Sequence, residues 1–258
     1  MGFPAEGQAG AAMPNGLVQD VRNGVRDERN RRDRQKVWEG AVRFYSRIPF
    51  VIIPTRRLSA VDRVVAAIRA RSVRPRGLIV AIDGRSGSGK STVAEAVAQA
   101  TGAVIVPCDD FFAAGITDEE WDRRTPAQRA ADAIDWRRLK REAIEPLRTG
   151  HPARWYAFDF LAGPRSDGTY PLLKAPTERA PMPVVLLDGA YSARPELADV
   201  LDLTVLVEAA TATRQARLAA REAPDFLRQW HARWDPAEEY YFSQVRPPSA
   251  FDVVVQTD

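Results

Sequence analysis

The 258 residues of the chain are 45 % hydrophobic and 28 % charged, an ordinary composition for a soluble globular protein large enough to bury a substantial core. Lys and Arg number 37 against 34 Asp and Glu, and this excess of positive charge is too small to indicate a nucleic-acid partner by itself. The single cysteine, Cys108, excludes an internal disulfide bond, and no apolar run approaches transmembrane length. We therefore expect a cytoplasmic protein without a membrane partner.

Residues 1–57 are predicted to form an extension that precedes the main domain. Residues 1–35 combine Gly, Ala, Pro and Gln with a run of arginines, and they show almost no apolar periodicity, so we expect them to be largely disordered. Asp27, Glu28 and Asp33 interrupt the arginines, which argues against a basic arm for nucleic acid and leaves that function as an alternative.

The main domain is predicted over residues 58–258, and its most specific motif is a glycine-rich loop with the spacing G-x-x-x-x-G-K-[ST] of a phosphate-binding P-loop. The motif consists of Gly84, Arg85, Ser86, Gly87, Ser88, Gly89, Lys90, Ser91 and the following Thr92. Its glycines allow consecutive N–H groups to turn inward around phosphate oxygens. Lys90 is expected to reach the β and γ phosphates and Ser91 to offer its hydroxyl to Mg²⁺. The sequence therefore predicts an ATP site with Mg²⁺.

A P-loop requires a buried strand before it and a helix after it, and the sequence predicts both. Residues 77–82 are an apolar run of strand length, and apolar residues then recur at helical spacing until Gly102. A flexible Gly/Ser linker with a chance lysine lacks this framing. Upstream, Ser59 is a predicted N-cap for a helix that leads towards the strand.

The next predicted strand, 103–106, is followed by Asp109 and Asp110. Ligands of open α/β sheets bind at the carboxyl ends of the strands, so these acids are expected to face Lys90 across a crevice. A carboxylate there can accept the proton of a hydroxyl that attacks the γ phosphate, and we predict Asp109 as this base. A cap or turn function for the two acids is the alternative.

Asp188 ends another hydrophobic predicted strand, 184–188, and this layout is typical of a Walker B element that organises Mg²⁺. A turn before Gly189 is the structural alternative. Between these strands, the aromatic-rich segment 154–161 predicts a short strand or hairpin. Its rings can line a pocket for a flat ligand or form a satellite core, and their spacing does not separate the two.

Arg214, Arg217 and Arg221 are spaced to share one face of a predicted helix. If that face points to solvent, the arginines are ordinary surface charge. If it points to the crevice, they form a lid that clamps the transferring phosphoryl group and excludes water. The phosphate loop favours the lid.

Taken in order, these motifs resemble the uridine kinase family, within the wider group that contains phosphoribulokinase, pantothenate kinase and nicotinamide riboside kinase. The resemblance covers roughly residues 75–257. The motifs that carry it are 83–92, 109–112, 132–135, 158–160, 187–189 and the arginine helix. It implies a P-loop α/β fold, with a parallel sheet of about five strands flanked by helices and a small lid and substrate region.

The resemblance also implies roles for individual residues. It places Asp109, Lys90, Arg217 and Arg221 in catalysis, and Ser91 and Asp188 at the metal. The residues that it places at the substrate are Asp110, Phe112, Asp135, Phe158, Phe160 and Arg214. Asp135 matches the acid that holds ribose hydroxyls, and Phe158 and Phe160 match the aromatic positions beside the base.

Two departures from the family bear on the acceptor, and a third bears on the reach to Mg²⁺. Gly163 stands where the family has a base-contacting His, Phe158 replaces a Tyr, and Asp188 replaces the usual Glu. We predict an ATP-dependent kinase for a hydroxyl of a small molecule, foremost a nucleoside. The alternatives are pantothenate, nicotinamide riboside or a sugar phosphate as acceptor, or a P-loop ATPase or nucleotide sensor with a nucleic-acid-binding arm. The sequence leaves open the acceptor, the nucleotide base and whether the chain forms a homo-oligomer.

Overall fold

A computed structural model of the chain describes residues 58–71 and 77–258. The predictions made for the extension, residues 1–57, lie outside the described residues, and the proposed division of the chain stays a prediction. No helix within the described ranges is long and apolar enough to cross a lipid bilayer.

Five parallel strands form the central sheet, in the order β2-β5-β1-β6-β7. Two further strands, β3 and β4, pair antiparallel with each other outside this sheet. The strands are β1 (Leu78–Asp83), β2 (Val104–Pro107), β3 (Ala153–Trp155), β4 (Thr177–Arg179), β5 (Val184–Asp188), β6 (Leu203–Glu208) and β7 (Val253–Gln256). Asp188 is in register with both Ile82 and Pro107, so the carboxyl ends of β1, β2 and β5 lie at the same edge.

Helices lie on both faces of the sheet. The α-helices are α1 (Ala60–Arg71), α2 (Lys90–Thr101), α3 (Asp118–Arg123), α4 (Pro126–Asp132), α5 (Trp136–Leu139), α6 (Glu145–Arg148), α7 (Thr211–Ala219) and α8 (Pro224–Tyr240). One π-helical turn, Lys140–Ile144, joins α5 to α6, and another, Tyr241–Val245, follows α8. A 3₁₀ turn, Cys108–Phe111, follows β2. The predicted fold class, a parallel sheet of about five strands flanked by helices, is confirmed.

Burial of both faces explains why β1 reads as an uninterrupted apolar run. All six of its residues are buried, as expected for a central strand of a parallel sheet. Ile79 and Ala81 contribute to the apolar core on one face, and Val80 and Ile82 to the core that includes α1 and α2 on the other. The strand thereby joins two cores directly before the loop that follows it.

Helix starts follow the capping signals of the sequence. Ser59 accepts a hydrogen bond from the N–H of Asp62 at 3.1 Å and caps α1. Thr125, with Pro126 after it, forms a capping box with Gln128 at the start of α4. Asp135 caps α5 through the N–H of Arg138 at 3.0 Å. The helix start predicted at Ser59 is confirmed.

The short strand predicted in the aromatic segment 154–161 is present at the start of that segment. The strand β3 ends at Trp155, and beyond it only Phe158 makes a β-bridge, with Leu172. Phe158 and Phe160 both pack on Phe112 and form an aromatic cluster with it beyond the end of β3.

Candidate active site

The phosphate loop connects β1 to α2, and its geometry requires glycine at several of its positions. Gly87 and Gly89 have φ angles of 76° and 84°, in the left-handed region. A Cβ atom at Gly84 would lie 2.3 Å from the carbonyl oxygen of Val207, and one at Gly87 would lie 2.6 Å from that of Arg214. The loop therefore packs directly against the backbone of β6 and α7.

Asp83, the last residue of β1, anchors the start of this loop. Its side chain is fully buried and accepts hydrogen bonds from the N–H groups of Gly84 at 2.8 Å, Tyr191 at 2.9 Å and Ala193 at 2.9 Å. The hydroxyl of Tyr241 donates a fourth, at 2.9 Å. Burial raises the pKa of Asp83 to about 6, although these donors and Lys90 oppose the rise. One carboxylate thus joins the phosphate loop to two distant segments.

The end of α8 holds the first half of the phosphate loop. Glu238 is buried, and its Oε1 accepts hydrogen bonds from the N–H of Ser86 at 3.0 Å and from the Ser86 hydroxyl at 2.7 Å. Burial raises the pKa of Glu238, while the bonds from Ser86 and the charge of Lys90 lower it. Next to it, Glu239 pairs with Arg85 at 2.8 Å.

Two arginines of α7 reach the phosphate loop from the other side. Arg214 donates to the carbonyl of Ser86 at 3.3 Å. Arg217 donates to the carbonyl of Gly87 at 3.2 Å and to the hydroxyl and carbonyl of Thr257 at 3.0 and 2.7 Å. Both guanidinium groups are therefore bonded to carbonyl oxygens of the phosphate loop, and their role in a lid stays a prediction.

Asp188 and Ser91 lie together at the carboxyl edge of the sheet. Burial raises the pKa of Asp188, while the charge of Lys90 and a hydrogen bond from Ser91 lower it. The Oδ1 atom of Asp188 is buried and has no hydrogen-bond partner among the described residues. An unpartnered carboxylate oxygen beside a serine hydroxyl suits a hard cation such as Mg²⁺, which takes few protein ligands and keeps waters and phosphate oxygens.

No three His, Cys, Asp or Glu side chains within residues 58–71 and 77–258 are grouped so as to hold a metal ion by themselves. The fit to Mg²⁺ therefore depends on phosphate oxygens as further ligands. Asp109 lies close to this site, because a Cβ atom at Gly189 would be 3.6 Å from its Oδ1.

Asp109 and Asp110 have different surroundings although they are adjacent. Asp109 is exposed and has no side-chain hydrogen bond within the described part of the chain. Asp110 is half-buried, and its Oδ2 accepts a hydrogen bond from the indole N–H of Trp155 at 2.8 Å. Burial raises the pKa of Asp110, and the bond from Trp155 opposes the rise. Of the two acids, Asp109 is therefore the one that is free to receive a proton from a bound molecule.

A cavity of about 370 Å³, here called the Asp109 cavity, opens beside the phosphate loop. Its polar lining residues are Ser86, Asp109, Arg221, Glu222 and Glu238. Its aromatic lining residues are Phe112, Phe160, Tyr191, Phe226, Trp230 and Trp234. The cavity therefore brings a residue of the phosphate loop and the predicted base to one small, mostly apolar space.

The structure gathers some of the residues predicted at the substrate and separates others. Phe112 and Phe160 line the Asp109 cavity, together with the predicted lid residue Arg221. Phe158 lies behind them, with its ring 5.1 Å from that of Phe112 and edge-on to it. Asp110, bonded to Trp155, is likewise not among the lining residues.

Three further predicted residues lie elsewhere. Asp135 caps α5 and lines a different, open pocket, so the structure does not bring it together with Asp109. Arg214 contacts the phosphate loop rather than the cavity. Thr92, on α2, is exposed. The predicted roles of all three stay predictions.

Sequence reasoning missed the contribution of α8. Phe226, Trp230 and Trp234 are spaced four residues apart and therefore share one face of the helix, which forms a wall of the cavity. The same four-residue spacing is visible in the sequence, directly after the predicted lid arginines. The bond from Ser86 to Glu238 spans 152 residues and gives no local signal.

Comparisons with known proteins agree with this geometry. No protein-family model and no curated protein matches the chain. The fold defined above, a parallel sheet with a phosphate loop between its central strand and the next helix, is that of P-loop kinases.

Among solved structures, a possible uridine kinase from Bacillus stearothermophilus has a TM-score of 0.54 at 18 % identity, over 76 % of this chain and 97 % of that one. A candidate fructose transport system kinase from Silicibacter sp. TM1040 has a TM-score of 0.55 at 23 % identity, over 75 % and 98 %. The D-glycerate 3-kinase from Cryptococcus neoformans var. grubii gives 0.51 at 13 % identity, over 69 % and 87 %. The likeness to uridine kinase-like P-loop kinases is thereby confirmed at the level of the fold.

Proposed function

We propose that this protein is an ATP-dependent kinase that transfers the γ-phosphoryl group to a hydroxyl of a small molecule. The observation that carries the proposal is that Ser86 of the phosphate loop and the exposed carboxylate of Asp109 line the same cavity. A phosphoryl donor held by the loop and an acceptor in the cavity would then meet beside a base. The kinase structures that share the fold support the same class of reaction.

In the proposed reaction, the acceptor oxygen forms a bond to the γ phosphorus while the bond from that phosphorus to the β–γ bridging oxygen breaks. Asp109 accepts the hydroxyl proton, and ADP leaves with the electron pair of the broken bond. Lys90 and the loop amides bind the phosphates, and Arg214 and Arg217 add positive charge beside the loop. Arg221, on the cavity side, is the lid arginine positioned to reach an acceptor.

Ser91 and Asp188 are the residues that would hold Mg²⁺, through the hydroxyl and the unpartnered carboxylate oxygen. When bound, Mg²⁺ neutralises charge on the phosphate oxygens and helps to orient them. Asp188 is shorter than the Glu usual in uridine kinases, and its position next to Ser91 is consistent with direct or water-mediated binding.

The aromatic lining of the Asp109 cavity favours an acceptor with a flat or apolar part, as a nucleoside has, over a small polyol. A nucleoside therefore remains the acceptor class that we propose first. The alternative, an ATPase or nucleotide sensor with a nucleic-acid-binding arm, depends on residues outside the described ranges.

The test is ADP release from the purified protein with ATP and Mg²⁺ across uridine, cytidine, nicotinamide riboside, pantothenate and ribulose 5-phosphate, with a control without acceptor. Acceptor-dependent turnover is expected. Turnover that is the same with and without every acceptor would replace the kinase by an ATPase and remove the acceptor role of the cavity.

A further inference from the structure

The charges that line the Asp109 cavity are mostly negative. Asp109, Glu222 and Glu238 contribute carboxylates, and Arg221 is the one Lys or Arg among the described lining residues. Arg221 is itself paired, since its Nε donates to Oε1 of Glu222 at 2.8 Å. A negatively charged acceptor would therefore meet three carboxylates against one guanidinium, which is itself partly engaged by Glu222.

Glu238 places negative charge in the wall of the cavity. Only 3 % of this residue is exposed, and its hydrogen bonds go to the N–H and hydroxyl of Ser86. A carboxylate has about four acceptor sites, so Glu238 can receive a further donor or a cation. Tyr191 lines the same cavity; its buried hydroxyl has no hydrogen-bond partner among the described residues. Polar groups of this wall therefore remain for a ligand.

Aromatic side chains supply most of the remaining wall. Trp230 and Trp234 of α8 lie on one side with Phe226, and Phe112 and Phe160 contribute further rings. The faces of such rings attract cations, most strongly for Trp, and the attraction grows as the cation loses water. Aromatic faces combined with carboxylates are the chemistry by which proteins bind organic cations.

From this combination we infer that the acceptor is an organic cation that carries a hydroxyl group, such as a quaternary or aromatic ammonium alcohol. The inference rests on the proposed kinase function and narrows its acceptor. Asp109 takes the hydroxyl proton, the aromatic wall holds the apolar part, and Glu238 with the rings stabilises the positive charge. Acceptors with a carboxylate or a phosphate, including pantothenate and sugar phosphates, are disfavoured.

The first experiment compares acceptors that differ in charge and not in shape. Nicotinamide riboside is a pyridinium cation, and its reduced dihydro form is neutral with the same ribose hydroxyls. With Mg²⁺ and ATP, we expect kcat/KM for the cation to exceed that for the neutral form by at least about tenfold. Equal values, or a preference for the neutral form, would overturn the inference while leaving the kinase function in place.

Binding measured without turnover separates the inference from the kinase function. Isothermal titration calorimetry with choline and with its neutral isostere 3,3-dimethylbutan-1-ol is expected to give a Kd for choline lower by about tenfold. This preference in a protein that shows no phosphoryl transfer would retain the cation site and remove the kinase function. Absence of any preference for choline would overturn the cation site.

Variants assign the preference to the cavity. The variant Glu238→Gln keeps a side-chain oxygen for Ser86 but removes the negative charge. We expect the ratio of kcat/KM for the cationic acceptor to kcat/KM for the neutral one to fall by about tenfold. A ratio is insensitive to a general loss of activity. Glu222→Gln provides a second test if the first variant fails to fold, and Glu119→Gln, an exposed acid on α3, is the matched control. A ratio unchanged in both cavity variants would overturn the assignment.

Discussion

The phosphate loop and the Asp109 cavity share Ser86 but differ in how their parts are held in place. The loop is fixed by the fully buried Asp83 and by backbone contacts so close that they leave no room for a Cβ atom at Gly84 or Gly87. The cavity is lined by side chains from several separate segments, and some of them, such as Phe160 and Phe226, are exposed. The difference favours a rigid site for the proposed phosphate donor and an adaptable one for the proposed acceptor.

The largest effect is expected from Asp109, where the two regions meet. Asp109→Asn removes the base and should lower kcat by about 10²- to 10⁴-fold. Its nucleotide affinity should stay within about twofold, because Asp109 makes no hydrogen bond to the loop. Single-turnover kinetics and titration with a fluorescent ATP analogue measure the two quantities. In the control Asp110→Asn, one side-chain oxygen remains to accept the bond from Trp155, so a smaller loss is expected. Similar losses in both variants would contradict the assignment of the base.

Asp83 should link the stability of the loop region to pH. Its pKa is raised to about 6 in the folded protein, so between about pH 4 and pH 6 the folded protein holds a proton that the unfolded chain releases. The stabilisation is complete below the unfolded pKa and is lost as the pH rises through the folded one, up to about 3 kcal/mol.

Urea unfolding of the protein and of Asp83→Asn from about pH 4 to about pH 7 measures this link. The difference in free energy of unfolding between the two proteins should shrink as the pH rises. Glu119→Gln is the control, and we expect its difference from the unchanged protein to vary less with pH. A difference for Asp83→Asn that does not vary with pH would show that Asp83 does not titrate in this window.

Gly84→Ala tests the rigidity of the loop itself. The new Cβ atom would lie 2.3 Å from the carbonyl oxygen of Val207, a backbone atom that cannot swing away. We expect a loss of at least about 2 kcal/mol in the free energy of unfolding, with loss of nucleotide binding. Gly115→Ala, where no atom lies within 4 Å of the added carbon, should stay within about 0.5 kcal/mol. Equal stability of the two variants would show that the loop adapts.

The smallest effects are expected from two arginines, one of which contacts the phosphate loop while the other lines the Asp109 cavity. Arg217→Ala removes hydrogen bonds to Gly87 and Thr257 and is expected to weaken nucleotide binding by about tenfold. Arg221 lines the cavity, so Arg221→Ala should leave nucleotide affinity within about twofold and raise the KM of the acceptor. If both variants lost nucleotide affinity equally, the division of these arginines between loop and cavity would be wrong.

The difference between the phosphate loop and the Asp109 cavity also explains which parts of the site could be predicted from the sequence. The loop was predictable because a phosphate cradle needs glycines at fixed spacing, and the strands because burial on both faces produces apolar runs such as β1. Asp109 and Asp188 could be proposed as site residues because acids that follow such strands lie at one edge of the sheet.

The cavity was far less predictable, because its residues are brought together by tertiary packing. The bond between Ser86 and Glu238 joins positions 152 residues apart. The spacing of the aromatic segment 154–161 did not separate a ligand pocket from a satellite core, and packing divides its rings: Phe160 lines the cavity, whereas Phe158 packs behind Phe112. Asp135 resembled a ligand-binding acid, yet locally it acts as a helix cap.

Cys108 offers a way to observe opening of this region without any ligand. It is the only cysteine of the chain, and it lies next to Asp109 with its side chain fully buried. Burial also raises the pKa of its thiol well above the usual value, so the reactive thiolate is suppressed in the closed protein. Labelling by a thiol reagent must therefore wait for the segment after β2 to open. Its rate reports how often that happens, and a nucleotide that binds only the closed form slows labelling in proportion to its occupancy.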